Sequence, residues 1–124
     1  MSSQDPRPRV WVGHVVLPTS DIHATRGFML KLGMRAIADG DEFAVLELRG
    51  GTHLVLLPSE ESASGAAPFD LMVDDLVSTH REFHAIGLKP SPIQKGKIHD
   101  SFTVAAPSGH TVTFNSTHVS DQPV

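Results

Sequence analysis

Two stretches of the chain place apolar residues at helical spacing. Ile22, Met29 and Leu32 share a stripe with Thr25, and Leu76, Phe83 and Ile86 share one with Thr79. Each stretch opens on acidic or hydroxyl residues, Ser20-Asp21 and Asp74-Asp75, whose side chains can accept the free N–H groups of a first turn. Each is stopped by a glycine, Gly33 or Gly87, which tolerates left-handed backbone. At a constant offset of 54, Ile22 matches Leu76, Thr25 matches Thr79, Leu32 matches Ile86 and Met34 matches Leu88. The chain therefore repeats itself.

Short apolar or alternating runs flank both helices and predict strands. Before the first helix lies 10–17; after it come 34–38, 42–49 and 52–57, divided by Asp39-Gly40-Asp41 and Gly50-Gly51. Before the second lies 69–73; after it come 88–94, 99–105 and 110–116, divided by Lys95-Gly96-Lys97 and Pro107-Ser108-Gly109. Each half reads βαβββ, as modules of about 10–57 and 69–116. The Ser-, Ala- and Gly-rich segment 58–68 links them, and 1–9 and 117–124 read as tails.

At 124 residues the chain has the length of one domain. With 40% hydrophobic and 19% charged residues, it is too apolar for disorder. The net charge of −4, scattered Lys and Arg, and 6% aromatics give no basic stripe or stacking surface, so no nucleic-acid partner is expected. No apolar run approaches the ~20 residues of a membrane helix, so no membrane partner is expected either. The first residues lack the apolar stretch of a secretory signal, and a cytoplasmic location is the expectation. With no cysteine there is neither disulfide nor thiolate chemistry. Eight histidines stand out, because imidazole both ligates metals and carries protons at neutral pH.

Local words within the repeat add a resemblance. The opening strand, Gly13-His14-Val15-Val16-Leu17-Pro18-Thr19-Ser20-Asp21, sets a histidine seven residues before an aspartate. Phe28-Met29-Leu30-Lys31-Leu32-Gly33 closes the first helix, Phe69-Asp70-Leu71-Met72-Val73-Asp74-Asp75-Leu76 opens the second module, and Ala106-Pro107-Ser108-Gly109-His110 forms its last turn. Together with the paired βαβββ modules, these resemble the vicinal oxygen chelate superfamily of glyoxalases, bleomycin-resistance proteins and extradiol dioxygenases, in a single-domain member spanning 10–116. The resemblance implies an α+β fold in which the modules form a curved, cup-shaped mixed sheet with helices on the outer face. It also implies a homodimer.

In metal-dependent relatives, the first and last strands of each module supply ligands inside the cup. The resemblance maps those positions onto His14, Val55 (Leu56 in an alternative register), Pro68 and Thr113, where the family usually has glutamate. Proline and valine carry no donor and threonine only a weak one, whereas a catalytic divalent ion needs about three strong donors. Alternation along the strands sets His14, Val16, Asp70, Met72, Thr113 and Asn115 on the cup face. His53 joins them with Val55, unless the register is the alternative one.

Two readings follow. In the first, the cup binds a small organic molecule without a cofactor, through apolar Val16, Val55 and Met72 and polar His14, His53, Asp70, Thr113 and Asn115. In the second, a lyase or dioxygenase rebuilds a centre for Fe, Mn, Ni or Zn from His14 with Asp70 or His53. Whether the chain is an enzyme stays open, and no catalytic residue is assigned. Glu47, two residues from Arg49, reads as a surface ion-pair partner. His80 and His84 read as a solvated helix edge, His110 as a turn residue and His118 as part of the tail.

Overall fold

The structure, a computed structural model, describes residues 4–61 and 63–124. The first three residues of the expected tail 1–9, and Ser62 of the linker, lie outside it. Its first module runs β1 (His14–Thr19), α1 (Ile22–Leu32), β2 (Arg35–Asp39), β3 (Ala44–Glu47) and β4 (His53–Pro58), with a single 3-10 turn, Arg49–Gly51, between the last two. The second runs β5 (Leu71–Val73), α2 (Leu76–Ala85), β6 (Ser101–Ala105) and β7 (Thr111–Ser116).

Both helices start as the sequence predicts. Asp21 accepts from the Ala24 N–H and Asp75 from the Ser78 N–H, each at 3.0 Å. Thr25 lies on the apolar stripe without cost because its buried hydroxyl meets that of Thr19 at 2.8 Å. Its repeat partner Thr79 instead donates to the Asp75 carbonyl within its own helix. Ile86 departs from expectation: α2 ends at Ala85, and Ile86, which caps it, is exposed. Truncating the cap with Asp75→Ala is expected to lower stability by about 1 kcal/mol, read as a shifted urea midpoint at unchanged slope.

The strands form two sheets that share no ladder, one ordered β1-β4-β3-β2 and the other β5-β7-β6. In each, the strand before the helix pairs in parallel with the last strand of its module, a consequence of the helical crossover. The buried side chains are those of one strand face and one helix stripe. Leu17, Met29, Leu46, Leu54 and Leu56 fill the first module, and Phe83, Phe102, Val104, Val112 and Phe114 the second. The closely packed element pairs all lie within one module. A link between the halves is the exposed pair of Arg49 with Asp74, at 2.7 Å.

The strand expected at 88–94 does not form. Pro90 and Pro92 lack N–H groups, and Lys89 sits at φ 55°, which breaks the extended run. The segment still follows β6 through bonds at Ser91 and Gln94, and the Ser91 hydroxyl accepts the Thr103 N–H where a strand carbonyl would otherwise do so. His80 corrects the helix-edge expectation as well. It is half-buried, stands edge-on to Phe102, and its Nε2–H donates to the Ser91 carbonyl at 2.8 Å. The histidine therefore fastens the irregular segment to α2. At the last turn, Gly109 has φ 94° and lies against the Ala63 carbonyl, leaving no room for a side chain.

Candidate functional site

In the four-stranded sheet the helix covers one face, and the opposite face carries the candidate residues. The register places Arg35 beside Glu47, Glu47 beside His53 and His53 beside His14. One polar row therefore crosses all four strands from β2 to β1. Two of its members are the predicted His14 and His53. Val16, beside Val55, flanks it one step along, which settles the register of β4 with His53 and Val55 on the open face. Leu54 and Leu56 are buried.

The row is bonded from one end. Arg35 donates Nε–H to Glu47 Oε1 at 3.0 Å and makes a second, shorter contact through its Nη2. The other carboxylate oxygen, Oε2, meets His53 Nε2 at 3.1 Å. Arg35 first, and then His53, hold the Glu47 carboxyl below its ordinary value, so at neutral pH it is an acceptor only. His53 Nε2 therefore carries the hydrogen, as Glu47 has none to give. The exposed ring of His14 stands edge-on to that of His53, with centroids 6.1 Å apart. The sequence alone does not mark Glu47 as a site residue, because Arg49, two residues on, offers a nearer partner along the chain. Arg49 instead reaches Asp74, and the signal lay in the Gly50-Gly51 turn, which folds residue 47 back onto residue 53.

The three-stranded sheet carries the other predicted residues. Met72 on β5 pairs with Asn115 on β7 and is exposed, while Leu71 and Val73 turn to the core. Thr113 alternates with buried Val112 and Phe114, and exposed Asp70 immediately precedes β5. The predicted set thus divides between two faces: His14, Val16 and His53 on one, Asp70, Met72, Thr113 and Asn115 on the other. Among the described residues, no three His, Asp or Glu side chains come together as a group able to hold a metal ion. His14, His53 and Asp70 are accordingly not such a trio within one chain.

Three other histidines make local bonds. His110 is buried, with Nδ1 2.8 Å from the Ser108 hydroxyl. His99 Nδ1–H donates to the Ser116 carbonyl at 2.8 Å, which leaves its Nε2 to accept from His118 Nδ1–H at 3.0 Å. A cavity of about 790 Å³ lies off the open face, between residues 5–11 and the turn at Arg49 and Gly50. Two of its arginines, Arg7 and Arg49, are already paired with Asp5 and Asp74.

The sequence matches the family model of the Glyoxalase/Bleomycin resistance protein/Dioxygenase superfamily over residues 11–114. The chain belongs to that superfamily. Solved structures similar to this one include lactoylglutathione lyase from Agrobacterium tumefaciens, at 16% identity and a TM-score of 0.74, covering 89% of this chain and 96% of that one. The bleomycin-binding protein from Streptomyces verticillus, solved with copper(II)-bleomycin, matches at 21% identity and 0.71, covering 90% and 100%. An antibiotic-binding protein from Streptomyces sp. CB03234 matches at 17% and 0.74, covering 86% and 95%. No curated protein sequence matches significantly. Among the described residues, no helix is long and apolar enough to cross a membrane.

The superfamily's metal-ligand positions can be tested on donor chemistry. Mapped by the repeat, they hold one imidazole, His14, with Val55 on β4 of the same sheet, Pro68 ahead of β5 and Thr113 on β7. One strong donor in four does not fit a divalent centre.

Proposed function

We propose that this chain binds a small organic molecule on its open sheet faces, and that a second copy completes the cup. The observation that carries this reading is the polar row His14–His53–Glu47–Arg35 set among accessible apolar side chains. Val16 is 45% exposed, and Met72 on the other sheet is 42% exposed. Apolar walls with a few fixed polar groups are the usual make-up of a small-molecule site. Two considerations favour a second copy. The two sheets of one chain share no ladder, and the predicted lining is divided between them. A homodimer that lays one chain's His14 face against the other's Asp70 face would join the two halves of the lining. The donor set favours binding without the family's metal centre.

Nuclear magnetic resonance mapping of a small-fragment screen tests the reading. Hits are expected to shift the amides of Val16, Val55, Met72 and Asn115 together. Asp70→Asn is expected to change hit affinity severalfold while leaving the urea midpoint unchanged, because the carboxylate is exposed. Hits confined to the cavity at Arg9 and Trp11 would overturn it.

A further inference from the structure

We propose that Glu47 fixes His53 as a one-way hydrogen-bond acceptor, so that the open face selects ligands carrying a weakly acidic O–H or N–H. This rests on the binding reading above and adds the class of ligand to it. The argument begins with what each atom has left to offer. Glu47 Oε1 is taken by Arg35 and Oε2 by His53 Nε2. With the hydrogen held on Nε2, the neutral ring of His53 keeps a bare lone pair on Nδ1. That atom has no partner among the described residues, and it is not sealed from solvent. An accessible acceptor beside Val16, Val55 and the edge-on ring of His14 suits a flat apolar molecule bearing one donor hydrogen.

The selectivity follows from the cost of mismatch. A ligand with a donor replaces the water at Nδ1 with a directed bond. One whose nearest polar atom is only an acceptor leaves two lone pairs facing each other, and the desolvated nitrogen without a partner. Without Glu47 the ring is free to carry its hydrogen on Nδ1, and the preference vanishes or reverses. Glu47 from β3 and His14 from β1 are the charged and titratable groups that adjoin His53 on this face, and Arg35 from β2 stands beyond Glu47.

The probes are 4-cyanophenol and its methyl ether, in which a methyl group replaces the donor hydrogen. Titrated into the 124-residue chain at pH 7.5, the phenol is expected to bind about tenfold more tightly, the scale of one net hydrogen bond. In Glu47→Gln and in His53→Phe the preference for the phenol should be lost, the two probes binding within about twofold of each other. Independently of any ligand, long-range proton–nitrogen spectra of the free protein should show His53 hydrogen-bearing at Nε2. A ring carrying its hydrogen on Nδ1 overturns the proposal, as does equal binding of both probes with shifts at Val16 and Val55. That second outcome leaves the face as a binding surface. Shifts from neither probe at those amides would overturn both readings.

Discussion

Phe114→Ala should remove about 3–5 kcal/mol of stability, enough to leave a domain of this size close to its unfolding threshold at 25 °C. The ring is 1% exposed, stacked on Phe102 at 5.1 Å and 15°, and edge-on to Phe83 at 5.2 Å. These three rings from β7, β6 and α2 hold the second module's helix to its sheet. Truncation loses the transfer energy of the ring and opens a cavity between elements that strand pairing keeps from collapsing. Phe114→Leu should cost less than half as much, because it leaves a smaller void. Circular dichroism in urea is the measurement of choice: Trp11, the sole tryptophan, is 71% exposed, and its emission would change little on unfolding. A loss under 1 kcal/mol for Phe114→Ala would mean that this cluster is not the module's core.

Restoring donors should produce the second large effect. Pro68→His with Thr113→Glu places an imidazole and a carboxylate on the three-stranded sheet's side of the lining. If His14 of a facing module completes the set, zinc or nickel affinity should rise at least about a hundredfold over the wild type, as whole ligands outweigh the 10–100-fold typical of their supporting bonds. Isothermal titration of the tag-free double variant measures it. Adding His14→Ala is the decisive step, because it should abolish most of the gain. A gain that survives that change would show that the two faces do not meet around one site.

The helices were the most legible part of the chain, because a cap, a stripe and a stopping glycine all agree at Asp21–Gly33 and nearly so at Asp75–Gly87. The failed strand at 88–94 illustrates the limit of pattern. Leu88 and Ile93 suggested a strand, while Pro90 and Pro92, which deny it a regular ladder, were in plain view. His14 and Val16 could be placed on one face by alternation alone, whereas His53 depended on the register of β4, which the strand pairing supplies. Glu47 could not be promoted to that face without knowing which strand lay beside it. The preference for Arg49 as its partner treated nearness along the chain as nearness in space. The division of the lining between two sheets was equally hidden, since a repeat reveals what the halves are and not how they meet.

Edge geometry bears on how copies of this chain meet in a crowded solution. On the four-stranded sheet the outer edge is β2, whose pairing slips between Ala36 and Ala38. On the three-stranded sheet the proline-spaced segment 88–94 runs along β6 and offers no regular row of donors beyond it. Both outer margins thus discourage indefinite strand-on-strand growth into fibres. The opposite margins are β1 and the short β5. Backbone pairing between copies is thereby confined to the two inner margins, so that it would not extend into a continuous sheet through the outer ones.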